Sequence, residues 1–301
     1  MGRVDGKFKL FEMTTVKNFI TNFKSFSDNW PIRIKQSIHS NLDGFVPESG
    51  FMGEFLASLI TGKKGTASAG SGFDLSDGIK ADESKLAVLV RAAVCNKCGE
   101  KVLFFNEKCS CGSTDFTYPG DSRWGIDSKA GIEYKEQLDK YILQVIKPVE
   151  NSFDCKEFIY EAFLVDAKNK CFTEYLMNQY LNSNKSNNCN LLPYSYDFYR
   201  AEPVKVVSLK ITLNNLDSSV YCLYYNLNNN VPEKMPSHIV PVKYIKSILN
   251  SRSIVFNKNS SKRELVALLE SSLNTNTLNS DDFPLKTKPL NKNRGNTFRK
   301  I

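Results

Sequence analysis

Four cysteines fall into two tight pairs, Cys95-Asn-Lys-Cys98-Gly99 and Cys109-Ser-Cys111-Gly112, and this spacing leaves the chain around them few ways to fold. Each pair makes a knuckle whose backbone amides turn back on the sulfurs, and the residue after such a turn favours glycine. Four thiolates around one centre form a closed tetrahedral Zn2+ site, which contributes folding energy and offers no open position for chemistry. The second pair is tighter than the common C-x2-C spacing. The other cysteines, Cys155, Cys171, Cys189 and Cys222, are scattered. That pattern fits one metal site in a reducing compartment rather than a disulfide scaffold.

A chain of 301 residues has room for one large domain or two ordinary ones, and 41% hydrophobic residues suffice for a packed core. The net charge of +8 favours a polyanionic partner. No run of about 18 apolar residues exists to span a membrane. The opening MGRVDGKFKLFEM has no apolar core of a signal peptide. A cytoplasmic protein is expected.

Helical spacing at Val16, Phe19, Ile20 and Phe23 predicts a helix over 14–26, and Pro31 to Pro47 reads as a less regular element. A helix over 49–60 ends at Gly62. The segment KKGTASAGSG over 63–72 is a pliable turn, and Asp77-Gly78 is a hairpin signal. Ile79 to Arg91 reads as a long strand, followed by the cysteine segment, and Arg123 to Asp127 as a return to the sheet. Further on, a helix is expected over 131–141, strands over 141–149 and 158–165, and a helix over 169–181. Beyond an Asn-rich run at 182–190, strands are expected over 204–213 and 220–225. Helices are expected over 238–248 and 263–273. The fold class is α/β (α+β), a mixed central sheet flanked by helices. Three regions follow: an N-terminal helical region over 1–49, a core over 50–182 carrying the cysteine ribbon at 92–116, and a C-terminal mixed α/β region over 183–301 with a basic tail.

An acid-x-Lys triplet alone says little, since the chain has six, beginning at Asp5, Glu83, Asp127, Glu133, Asp154 and Asp166. Glu83-Ser84-Lys85 differs in context. It lies nine residues after Asp74, across the hairpin turn, and on a strand Glu83 and Lys85 share a face. Asp82 should face the other way. Glu54 lies on the preceding helix. Two acids and a lysine in one cleft can hold a divalent cation and an activated water against a phosphodiester. Asp127-Ser128-Lys129, preceded by Pro119-Gly120-Asp121, is the rival centre, but its acids stand only six residues apart.

These residues resemble the PD-(D/E)xK nuclease superfamily and, within it, type II restriction endonucleases. Asp74, Glu83 and Lys85 match the motif in order and spacing, over roughly residues 50–180, and Glu54 matches the acid often found on the helix before it. Phe73 stands where the pattern has proline. The resemblance implies hydrolysis of double-stranded DNA, with Asp74 and Glu83 holding Mg2+ and Lys85 orienting the attacking water. It also implies a homodimer, and a cognate DNA methyltransferase in the same system that is not a stable partner. Lys63, Lys64, Arg123, Arg200, Lys292 and Arg294 are candidate DNA contacts, because clustered cations gain from counterion release. Two other functions fit the sequence: a repair or defence nuclease of the same superfamily without strict sequence specificity, and a non-catalytic zinc-ribbon DNA-binding protein.

Overall fold

In the computed structural model of the chain, which describes residues 49–66, 73–88, 93–102, 109–113, 115–117, 123–148, 157–182, 188–212 and 220–278, a tight turn at Asp77-Gly78 sets the register of the proposed site. Asp77 Oδ1 accepts from the amides of Ile79 (2.9 Å) and Lys80 (2.8 Å), and Gly78 takes φ +88°, a conformation that glycine adopts without strain. The turn consumes Ile79 and Lys80, so the strand begins at Ala81 rather than at residue 79.

In chain order the elements are α1 (Ser49–Thr61), β1 (Lys64–Gly65), β2 (Leu75–Ser76), β3 (Ala81–Val88), β4 (Ala93–Cys95), β5 (Lys101–Val102), β6 (Phe116–Thr117) and β7 (Trp124–Asp127). Then come α2 (Ser128–Glu133), β8 (Leu138–Pro148), β9 (Glu157–Asp166), α3 (Lys170–Asn182), β10 (Asn188–Leu191) and α4 (Tyr196–Arg200). The described chain ends with β11 (Val204–Thr212), β12 (Val220–Tyr225), β13 (Met235–Pro236), a 3-10 turn (Ser237–Ile239), α5 (Val242–Ser251), α6 (Lys262–Leu273) and β14 (Thr277–Leu278). The architecture is the expected α/β class, a central mixed sheet flanked by helices in a restriction-endonuclease-like arrangement.

The described residues divide into two compact units. The first draws on segments within 1–124, 140–164 and 205–230. Its centre is a seven-stranded sheet in the order β1-β2-β3-β8-β9-β11-β12. Residues 141–146 of β8 are buried without alternation, as in a strand covered on both faces. Leu56, Ala57 and Ile60 of α1 are at most 1% exposed, and α1 packs on β3. Gly53 permits that approach, because a Cβ there would sit 3.0 Å from Leu86 Cβ. Gly62 ends the helix at φ +75°, its amide bonded to the Ser58 carbonyl at 2.8 Å.

The second unit draws on segments within 125–139, 165–204 and 231–301. Here α2 packs on α3 and α5 on α6, and the rings of Tyr196 and Tyr244 stack at 5.2 Å. Ser261 and Glu264 close a capping box on α6. The helix expected over 131–141 is shorter and earlier. Asp127 accepts from the amides of Lys129 (2.9 Å) and Ala130 (3.0 Å), starting α2 at Ser128, and the chain is already in β8 at Leu138. The helix expected over 14–26 and the basic tail beyond Asp282 lie outside the described residues.

Candidate active site and metal centre

The β2–β3 register pairs Leu75 with Asp82 and Ser76 with Ala81. One step further along that register sets Asp74 opposite Glu83. The Asp74 amide donates to the Asp82 carbonyl at 3.1 Å, and its own carbonyl accepts from the Thr66 amide at 2.9 Å. The Thr66 hydroxyl donates to the Phe73 carbonyl at 2.7 Å. These bonds hold Asp74 at the bend before β2. Its carboxylate Oδ2 accepts from the Ser84 amide at 2.8 Å.

The strand period divides β3 into two functions. On one face Lys85 Nζ lies 2.5 Å from Glu83 Oε1 and 3.5 Å from Asp74 Oδ2. The two acid oxygens are therefore no further apart than those two contacts laid end to end. On the other face Asp82 is 1% exposed and Ser84 5%. Asp82 pairs with Lys63 at 2.8 Å and accepts from the Lys140 amide at 3.1 Å.

Burial pushes the Glu83 carboxyl up to about 7; the Lys85 ammonium opposes this and the Asp74 charge adds to it. Burial works against the charged form of Lys85, but Glu83 and Asp74 outweigh it and raise the ammonium above its ordinary value. Glu54 is also raised, first by burial and then by Asp74, with Lys85 opposing. It therefore shares the electrostatic neighbourhood of the other three. Among the described residues, the cysteines alone form a set of three or more Cys, His, Asp or Glu with ligand atoms within 4.8 Å of one another. Glu54 thus does not close a three-carboxylate cage. Two carboxylate oxygens on one exchangeable ammonium fit Mg2+, which takes one or two carboxylates and keeps waters and phosphate oxygens for the rest.

The ribbon is built as its spacing requires. Strands β4, β5 and β6 form a small sheet in the order β5-β4-β6. The amides of Gly99 and Gly112 return to the carbonyls of Cys95 and Cys109, each at 2.8 Å, and both glycines take positive φ, +74° and +80°. Sulfur separations of 3.6 Å (Cys95 to Cys111) and 3.5 Å (Cys98 to Cys109) approach the edge of about 3.8 Å expected for four sulfurs tetrahedral on zinc. Burial opposes ionisation of the Cys95 thiol, but the amides of Cys98 and Lys97 outweigh it and bring it down to about 6. The four cysteines can hold a metal ion such as zinc.

The remaining candidates separate by their surroundings. Lys64 and Arg123 are exposed. Lys63, expected as a DNA contact, is held against Asp82 in an ion pair at 13% side-chain exposure. Arg200 is 7% exposed and donates to Cys171 Sγ at 3.0 Å. Lys292 and Arg294 lie outside the described residues. The rival carboxylate Asp127 is occupied in capping α2. Gln144 and Tyr160, fully buried at 0% beside the site, are not among the residues that sequence motifs single out. Their signal was a lone amide inside the apolar run Tyr141-Ile-Leu-Gln-Val-Ile146, since a buried amide must be bonded.

Sheet, helix α1 and the paired strands β2 and β3 are consistent with a restriction-endonuclease-like fold. The sequence profile of the MamI restriction endonuclease family matches residues 46–242, and the chain belongs to that family. No curated protein and no solved structure matches it. Among the described residues no helix is long and apolar enough to cross a membrane.

Proposed function

We propose that the chain is a type II restriction enzyme of the PD-(D/E)xK kind. It hydrolyses phosphodiester bonds of double-stranded DNA at a defined sequence with Mg2+ as cofactor. The observation that carries this reading is the meeting of Asp74 Oδ2 and Glu83 Oε1 on the Lys85 ammonium, together with the family to which the chain belongs. Asp74 and Glu83 would hold the cation; when bound, it supplies Lewis-acid polarisation of the phosphodiester and an acidified water. The Ser84 amide fixes the Asp74 carboxylate by its hydrogen bond. Lys85 orients the attacking water and offsets negative charge as the phosphorus becomes five-coordinate. Glu54 contributes charge from the body of α1. The cysteine ribbon carries structural zinc.

The exposed Lys64 and Arg123 and the tail cations Lys292 and Arg294 supply backbone contacts that carry no sequence information. A two-fold homodimer places one site on each strand of a symmetric target. The enzyme works in the cytoplasm beside a methyltransferase of the same system, with no stable complex between them.

The test is incubation with unmodified phage DNA and Mg2+, followed by sequencing of the fragment ends. Ends at one recurrent sequence are expected, with Asp74→Ala binding DNA but leaving it intact. A smear would return the reading to a defence or repair nuclease without sequence preference. Tight binding with no nicking in any divalent cation would return it to a non-catalytic zinc-ribbon DNA-binding protein.

A further inference from the structure

Gln144 sits in the middle of β8, fully buried, and every polar atom of its side chain has a partner. Its Nε2 donates to the Gly53 carbonyl (2.8 Å) and to the Ser84 hydroxyl (2.8 Å), and its Oε1 accepts from the Tyr160 hydroxyl (2.6 Å). Its backbone carbonyl accepts from Trp124 Nε1 at 2.8 Å. The orientation of the amide is fixed by chemistry. The Gly53 carbonyl can only accept, so nitrogen must face it, and oxygen is then left for the tyrosine.

These bonds reach the two elements that carry the candidate site. Gly53 is the residue before Glu54 on α1. Ser84 lies between Glu83 and Lys85 on β3, and its amide holds Asp74 Oδ2. The same glycine lacks the Cβ that would come within 3.6 Å of Gln144 Nε2. One amide therefore ties helix to strand where their site residues lie.

We propose that Gln144 is a positioning residue for divalent-cation binding: through the Gly53 carbonyl and the Ser84 hydroxyl it sets the separation between Glu54 and the Asp74–Glu83–Lys85 group. This rests on the nuclease reading above. Such outer partners typically carry about 10- to 100-fold in metal affinity or activity, and they leave contacts to the DNA backbone untouched.

The experiment uses the full chain with its zinc, and compares Gln144→Met, Ser84→Ala and Tyr160→Phe with the unaltered protein. Methionine keeps the volume of Gln144 and removes its three side-chain hydrogen bonds, leaving the backbone bond from Trp124, while the other two each remove one arm. Mn2+ binding is measured by calorimetry, DNA affinity in the absence of divalent cation, and cleavage as separate kcat and KM. Mn2+ binding weaker by about tenfold or more is expected for Gln144→Met, with a matching fall in kcat and with KM and metal-free DNA affinity unchanged. Smaller losses of the same kind are expected for the two single-arm variants. Should Gln144→Met fail to fold, those two carry the test, because each leaves most of the network bonded. Folded variants that bind Mn2+ and turn over like the unaltered protein would overturn the inference. Absence of any metal-dependent cleavage by the unaltered protein would instead overturn the nuclease reading, a distinct result.

Discussion

The backbone amide of Ser84 donates to the Asp74 carboxylate across 2.8 Å. The residue between the two site side chains of β3 thus orients the acid of the neighbouring bend. Asp74→Asn keeps an oxygen for that amide and removes the charge, so the local fold should survive. The loss of an anionic oxygen that would hold the cation should lower kcat by on the order of a hundredfold or more. Circular dichroism and metal-free DNA binding should match the unaltered protein. Retained cleavage would remove Asp74 from the site.

Glu83 titrates near 7 because burial disfavours its charged form. A cation binding there below that pH must first displace the proton. Apparent Mn2+ or Mg2+ affinity should therefore rise by about tenfold per pH unit up to near pH 7 and flatten above it. The stability of the metal-free protein should run the other way. An acid raised in the folded state holds its proton after the unfolded chain has lost its own, so this group's contribution is complete below about 4.5 and is lost as pH rises to about 7. Lys85→Met removes the opposing ammonium and should move the midpoint of metal binding upward; Asp74→Asn should move it downward. Calorimetric titration across pH 5.5–8.5 reads both shifts, and a flat profile would refute the assignment.

Much of this site was legible because its parts are local in sequence. The Asp77-Gly78 turn, the period of two on β3 and the nine-residue interval from Asp74 to Glu83 together fix which side chains meet. The cysteine knuckles were legible for the same reason. What was hidden is non-local. Gln144 meets Gly53 and Ser84 across separations of 91 and 60 residues, and no short-range pattern reports such contacts. Helix α2 starts at Ser128, before the expected residue 131, because the carboxylate of Asp127, part of the rival acid-x-Lys centre, caps it there. Lys63 looked like a loop cation until Asp82 took it inward.

The ribbon should hold one zinc per chain, and its removal should be a stability event rather than a catalytic one. Cys95→Ser and Cys109→Ser each leave three thiolates, which lowers zinc content and releases the small β5-β4-β6 sheet. Metal analysis by mass spectrometry should show the loss, and thermal unfolding should start earlier in both variants. Added Mg2+ should not restore the midpoint. Full zinc occupancy in either variant would count against a four-thiolate site.

Lys63 and Asp82 form a pair of low exposure, 13% and 2% at their side chains, with the Lys140 amide on the second carboxylate oxygen. Breaking such a pair from one side leaves a charge with poor access to water. Lys63→Met and Asp82→Asn should each destabilise the protein, by about 3 kcal/mol at the low end of what buried pairs show when one partner is lost. The double variant keeps an oxygen for the Lys140 amide and carries no buried charge, so it should recover most of the loss in a double-mutant cycle. DNA binding supplies the second readout. Lys63→Met should leave the slope of log affinity against log salt unchanged, because its ammonium is engaged inside the fold, whereas Lys64→Ala should reduce that slope by about one contact. A reduced slope for Lys63→Met would return that lysine to the DNA surface.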